Sequence, residues 1–484
     1  MKINHNRKNI GISSLLFILN VGIVLALTLL MIGLNQSWQV IEFITGYTGR
    51  VLFVSASVVF LHILLYGYLY FENHSRLNHP VKLVEIFSLL DISLVLCFVI
   101  GKYVQLNARP YLFFAIACAT LLGRREAIFL NVINALLIFV LDLNINFTET
   151  ASFETWQYTA GMLITFTGGT TVVFFSHKIR TRLQSTLLVF LMLIPIELII
   201  GLMEILFAED SVSQLILLAY GVLGALLSTI LYIALLPVFE LTFSELTPFR
   251  LRELTDSNAP LIKKLREEAP GTFNHSMVVA QLAEACANEI GEDSELARTV
   301  AYYHDVGKLK NPEMFTENQS DYNMHNELTP ELSADIIRSH TRDGAKLLKK
   351  YRLPEFFADV AIQHHGTLTI KYFYAKALKM SDGEINMANY SYAGPVPTSR
   401  IAAIIMIVDA AEAASRSLKD RSPASIQKLV SSIIEERVNL DQFTDCNITM
   451  RDLTIISHTI AQSLSGVYHS RVSYPKLKIG KKAD

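Results

Sequence analysis

Seven side chains able to bind metal ions recur through the second half of this sequence, in surroundings that otherwise read as apolar helix. His275 lies in APGTFNHSMVVAQLAEA, and His304 with Asp305 comes near the end of LARTVAYYHDVGK. His340 lies in ELSADIIRSHTRDGAKLL, His364 and His365 close FFADVAIQHHG, and Asp409 is embedded in RIAAIIMIVDAAEAA. A buried polar group is costly unless paired, and an ionised Asp within IIMIVDAA needs a cation beside it. The two doublets come just before glycines that close helical runs, where the helix dipole favours positive charge. Imidazoles and carboxylates without a thiolate suit divalent Mn or Fe better than a structural zinc site. Seven ligands exceed what one ion takes, so two divalent ions bridged by a carboxylate would share them. Paired ions roughly 3.5 to 4 Å apart activate water at neutral pH and stabilise the attacking and leaving oxygens of an in-line phosphoryl displacement. The chemistry indicated is phosphoester hydrolysis.

The elements that must position these residues are helices. Thr329-Pro330 and Ser422-Pro423 each place a capping residue before a proline at the first helical position. Gly307 and Gly366 suit the left-handed residue that ends a helix. No alternating strand pattern interrupts this half, so residues 271–475 are expected to form an all-helical domain. Residues 241–270, rich in charge and leucine, read as a connecting helix, and 476–484 as a basic tail that is solvated or touches anionic lipid.

The first half answers to a different solvent. The chain of 484 residues is 51% hydrophobic, and runs such as ISSLLFILNVGIVLALTLLMIGL crowd its first 240 residues. A helix needs about 20 apolar residues to cross a bilayer. About eight spans are expected, near 12–34, 51–71, 83–103, 109–122, 125–143, 157–177, 184–207 and 214–239, with the fourth and fifth turning tightly at GRRE. The first is read as a retained helix, being too long for a signal peptide. Lys2, Arg7, Lys8, Arg76, Lys82, Arg124, Arg125, Lys178, Arg180 and Arg182 then fall on one side, and only Arg50, Lys102 and Arg109 on the other. By the positive-inside rule the first side is cytoplasmic, as is everything after residue 240. Asp91, Glu197 and Glu204 are carboxylates within spans, satisfied between helices or kept for function. Cys97, Cys118, Cys286 and Cys446 form no CxxC pair and are not densely spaced, so neither a disulfide framework nor a zinc ribbon is suggested. A net charge of −2 gives no reason to expect a nucleic-acid polymer as partner.

The order H…HD…H…HH…D, together with LIKKLREEAPGTFNHS, AYYHDVGKLKNPEMFTENQ, RSHTRDGAKLL, QHHGTLTIKYFYAKAL, YAGPVPTS and VDAAEAASRSL, resembles the seven-transmembrane HD family, whose characterised members are PgpH-type cyclic di-AMP phosphodiesterases. The likeness runs over residues 240 to 420. It implies an all-α protein, a polytopic bundle in a bacterial cytoplasmic membrane followed by a cytoplasmic HD domain. It further implies that His275, His304, Asp305 and Asp409 hold one metal ion and His340, His364 and His365 a second, with Asp305 bridging. Lys308 of HDVGK would then place positive charge near the scissile phosphate, and the product would be a linear dinucleotide such as pApA.

Two features depart from that pattern. Only about 16 residues separate the first two expected spans, where the family carries a large extracytoplasmic domain. Ser399 and Arg400 replace the usual Lys-Glu pair before the final aspartate helix, with Arg400 read as a helix cap or a phosphate contact. Tyr372, Phe373 and Tyr374 read as core or as a base-stacking surface, and Asn318 and Gln319 as loop residues or the border of a lid. Two alternatives stand beside the leading reading. An HD phosphodiesterase acting on cyclic di-GMP is opposed by the absence of a GYP sequence after the His doublet, and a non-catalytic nucleotide receptor by the completeness of the ligand set. A homodimer is compatible with the sequence, and the lipid bilayer is an expected partner.

Overall fold

The computed structural model of the chain describes residues 2–35, 40–145, 155–176, 179, 181–207, 211–319, 322–381, 383–420 and 422–467. The structure is all-α: no β-strand occurs among the described residues, and the one isolated bridge joins Thr369 to Ser391. The chain divides into two compact units between Phe249 and Arg250. Lys178, Arg180 and the basic tail 476–484 lie outside the described residues.

Among the described residues of the first unit seven helices are long and apolar enough to cross a membrane: Asn9–Asn35, Thr48–Glu72, Pro80–Tyr103, Arg124–Asn144, Trp156–Ser176, Arg182–Phe207 and Leu215–Phe243. Ile18, Phe53, Phe190 and Ile205 on these helices are exposed, an apolar surface that suits hydrocarbon rather than water. The expectation of eight long spans is corrected at the fourth. Leu106–Leu121 is a shorter apolar stretch, because Arg109-Pro110 delays its α-helix until Phe113. It nevertheless runs the length of its neighbour. At its start Arg109 meets Asp142 at 2.5 Å, near the end of the Arg124–Ile145 helix. At its other end the Leu122 carbonyl accepts from Arg76 at 2.9 Å, and Gly123, with φ of 100°, turns the chain into Arg124. Phe113, Phe114, Ala115, Ile116 and Cys118 are all buried, so this is the inner element of the bundle.

The carboxylates within the apolar helices differ in how they are paired. Asp91 accepts from Asn20 at 2.9 Å, and Asn20 in turn meets His62 at 2.9 Å, a chain across three helices. Glu197 and Glu204 each keep a buried Oε1 without a hydrogen-bond partner among the described residues.

Residues 241–270, expected as one connecting helix, are broken into pieces. The helix Ser211–Phe243 stops at Ser244, which has φ of 56°. Pro248–Leu254 and Pro260–Glu268 then start as separate short helices. Proline at the first helical position of each favours a fresh start over continuation.

In the second unit the capping logic holds. Thr329 accepts from the Leu332 amide at the start of Pro330–Lys350, and Ser422 from the Ser425 amide at the start of Pro423–Asn439. Ala297, Val300, Ala301, Val360, Ala361, Ile404, Ile405 and Val408 are buried, giving a core against which the polar residues below are held.

Candidate metal centre

Five helices deliver the seven side chains. His275 comes from the middle of Pro270–Glu289, and His304 and Asp305 follow the last turn of Ser294–Tyr303. His340 comes from Pro330–Lys350, His364 and His365 from the end of Glu355–Gln363, and Asp409 from Arg400–Ser415. The structure brings all seven together as two groups, His275, His304, Asp305 and Asp409 in one and His340, His364 and His365 in the other; within each, the ligating atoms lie within 4.8 Å of one another. All are buried except His365, which is partly exposed.

The imidazoles are oriented by their outer nitrogens. Nδ1 of His304 lies 2.7 Å from the Ala301 carbonyl and Nδ1 of His364 2.9 Å from that of Ala361, while Nδ1 of His340 contacts the carbonyl of Ile337. A carbonyl only accepts, so the ring proton sits on Nδ1 in all three and Nε2 presents a lone pair. Nε2 of His340 and Nε2 of His364 face each other at 3.2 Å. Two lone pairs so placed repel unless a cation lies between them. Nε2 of His304 and Oδ1 of Asp305 are likewise buried without a hydrogen-bond partner among the described residues, and orphaned buried acceptors of this kind call for an ion. The donor set therefore fits divalent metal.

Asp305 faces both groups. Its Oδ2 is 3.3 Å from His304 and 3.7 Å from His275, and its Oδ1 is 3.2 Å from His340 and 3.6 Å from His364. Burial resists charge on this carboxyl, but the Lys308 ammonium and His304 outweigh it and hold its pKa well below the ordinary range. Asp409 is also held well below its usual value, by hydrogen bonds from His275 and His304 against the same resistance. Without a cation these carboxylates draw a second proton onto Nε2 of His304, whose pKa rises to about 10 despite burial because of Asp305; a metal ion would take the place of that proton. In the other group burial lowers His364, and burial together with His364 pushes His365 well below its usual value, leaving neutral donors.

Lys308 is not the exposed lysine that its position after a helix would suggest. Its side chain is 12% exposed, with Nζ 2.7 Å from Asp305 Oδ2 and 2.7 Å from Glu317 Oε1. Glu317 also accepts from Thr272 at 3.1 Å. A cavity of about 390 Å³ opens on these groups, lined by His275, Lys308, Thr316, Glu317, His365, Asp409, Glu412, Ala413 and Arg416.

Other residues singled out in the sequence fall elsewhere. Asn318 pins its loop to Thr272, accepting from the backbone amide at 3.0 Å, and Gln319 donates to Glu313 at 2.9 Å. Arg400 pairs with Glu292 at 2.8 Å and Asp452 at 3.2 Å, tying helices together outside the cavity, while Ser399 caps its helix. Phe373 belongs to a small buried cluster and Tyr372 is exposed. The ring that stacks on the centre is Tyr392, 4.4 Å from His365 at an interplanar angle of 28°. Sequence reasoning missed Tyr392, Glu317, Arg416 and Glu412. Only Glu412 carried a usable signal, since it follows Asp409 by three residues on one helix face.

Residues 272–414 match the HD domain family model. Over 265 residues the chain is 47% identical to the cyclic-di-AMP phosphodiesterase PgpH of Listeria monocytogenes, covering 54% of this chain and 37% of that protein. It is 40% identical over 327 residues to the cyclic-di-AMP phosphodiesterase PgpH of Bacillus subtilis, covering 66% and 45%. The chain thus matches less than half the length of these relatives. Among solved structures, the L. monocytogenes PgpH HD domain in complex with cyclic-di-AMP is 48% identical, covering 44% of this chain and all of that one, with a TM-score of 0.42. The chain thus joins, among the described residues, seven helices of membrane-spanning length to a region that matches the HD domain, and over that region it is similar to the PgpH-type cyclic-di-AMP phosphodiesterases.

Proposed function

We propose that this chain is a metal-dependent phosphodiesterase that hydrolyses cyclic di-AMP to linear pApA at a centre of two divalent ions, Mn or Fe, anchored in a bacterial cytoplasmic membrane. The observation that carries the reading is the division of Asp305: one oxygen faces His304 and His275, the other His340 and His364. A carboxylate so placed is suited to bridge two cations. His275, His304, Asp305 and Asp409 would hold the first, and His340, His364 and His365 the second. Such a pair supplies a nucleophile at neutral pH and charge stabilisation for phosphoryl transfer. The substrate assignment rests on the similarity to the PgpH cyclic-di-AMP phosphodiesterases.

The chain's own residues do the remaining work. Lys308, fixed between Asp305 and Glu317, puts a positive charge on the cavity wall where a phosphate oxygen gains negative charge. Main-chain carbonyls of Ala301, Ile337 and Ala361 fix the ring tautomers, so no reorientation precedes reaction. Tyr392, stacked on His365, shields that imidazole from water. The lysine and arginine bias of the loops supports a cytoplasmic HD domain. Residues 1–240 would form the membrane part, 241–270 the connection, 271–475 the HD domain and 476–484 the tail.

Full-length protein purified in detergent, loaded with Mn²⁺ and offered cyclic di-AMP and cyclic di-GMP side by side tests this. Release of pApA, with cyclic di-GMP consumed more slowly, is the expected outcome. Intact cyclic di-AMP after long incubation with metal-loaded protein would remove the enzymatic reading.

A further inference from the structure

His304, His340 and His364 each rest Nδ1 on the main-chain carbonyl three residues earlier. His275 is held differently. Its Nδ1 lies 2.6 Å from Oε2 of Glu412, and its Nε2 lies 2.9 Å from Oδ1 of Asp409. Glu412 and Asp409 stand three residues apart on the Arg400–Ser415 helix, so one helix face grips both nitrogens of a ring that belongs to another helix. Glu412 is 2% exposed. Its second oxygen, Oε1, accepts from Arg416 Nε at 2.8 Å and Nη2 at 2.6 Å. The two oxygens therefore serve different partners, and the carboxylate cannot turn without breaking both sets of bonds.

A carboxylate differs from an amide carbonyl as a partner for imidazole. Its hydrogen bond is charge-assisted and roughly twice as strong. It also makes the ring nitrogen it does not touch a better electron-pair donor, an outer-sphere effect that typically alters metal affinity about 10–100-fold.

We propose that Glu412, locked by Arg416, is a positioning residue that fixes His275 as an Nε2 donor and strengthens its hold on one divalent cation. The inference rests on the two-ion reading above. Glu412→Gln preserves size but introduces an amide whose NH2 can turn toward Nδ1. The ring proton then moves to Nε2, where it points at Asp409 and blocks the donor position.

The test uses full-length protein in detergent, stripped of metal and titrated with Mn²⁺ while the free ion is followed by electron paramagnetic resonance. The parent is expected to take up two ions. Glu412→Gln is expected to lose about 10–100-fold in affinity for one of them and to regain turnover of cyclic di-AMP in excess Mn²⁺. Arg416→Ala, at a half-exposed position, should weaken the same ion by a smaller factor, and it carries the test if Glu412→Gln does not fold. A merely structural role would lower the melting temperature of the stripped protein and leave Mn²⁺ affinity at the parent's value. Two ions bound by the parent and equally well by both variants overturns the inference alone. A parent that binds no Mn²⁺ overturns the two-ion reading and this inference with it.

Discussion

Gly307→Ala adds a single methyl group at the closest approach of two elements that carry the centre. The turn Val306–Lys310 follows Asp305 and contains Lys308, and it packs against the helix that carries His340. Gly307 does not have the positive φ that its place after a helical run suggests; among the two glycines so read, only Gly366 does, at 51°. It is glycine because a Cβ there would lie 1.9 Å from the His340 carbonyl oxygen and 2.5 Å from the Gly344 amide nitrogen. Both are backbone atoms and cannot swing aside. Ordinary contact begins at 3.4 Å, so the turn and the helix must separate by about 1.5 Å, an overpacking that costs about 1–3 kcal/mol. Metal–ligand distances tolerate only about 0.2 Å, and a misplacement near 1 Å can cost about 10²-fold in rate. Gly307→Ala should therefore bind fewer than two Mn²⁺ ions per chain, melt about 2–4 °C lower for each kcal/mol lost, and turn over at least about 10²-fold more slowly. Metal analysis, a melting curve and the dinucleotide assay read these in one preparation. Parental metal content together with parental turnover would refute the claim that this contact sets the distance between Asp305 and His340.

Three further outcomes are expected. Asp305→Ala should abolish turnover and remove more than one ion per chain, because each oxygen faces a different ligand group; retention of two ions would contradict the bridging role. Lys308→Ala should keep both ions while slowing kcat by about 10²-fold, and an unchanged rate would show that the ammonium does nothing for the phosphate. In the apolar bundle, Arg109→Ala strands the buried Asp142 carboxylate and should cost about 3–5 kcal/mol, whereas removing both partners should cost less. Thermal unfolding in detergent distinguishes the two, and equal losses would mean the pair is not coupled.

The seven candidate ligands were legible because each breaks an apolar helical pattern, as Asp409 does within IIMIVDAA. Their division between two groups was available only from resemblance, since nothing in their spacing says that the two oxygens of Asp305 point different ways. The helix starts at Thr329 and Ser422 were legible because capping is local. The inner segment that pairs Arg109 with Asp142 was misjudged, because a window of apolar residues does not show where the α-helix begins. Burial of Lys308 was hidden as well: it depends on Glu317, nine residues on in the short 3-10 turn Thr316–Asn318. Gly307 was rightly singled out for the wrong reason, since a close approach between distant segments leaves no local trace. Glu412 was overlooked although its spacing from Asp409 marks it, because a glutamate after DAA reads as ordinary helix surface.

The central claim is that seven side chains enclose a pair of divalent ions. Anomalous X-ray scattering from crystals of the chain grown with Mn²⁺ measures this directly. Two peaks roughly 3.5 to 4 Å apart are expected, one beside His275, His304 and Asp409, the other beside His340, His364 and His365, with Asp305 touching both. A single peak, or none within this cluster at saturating Mn²⁺, would contradict the account.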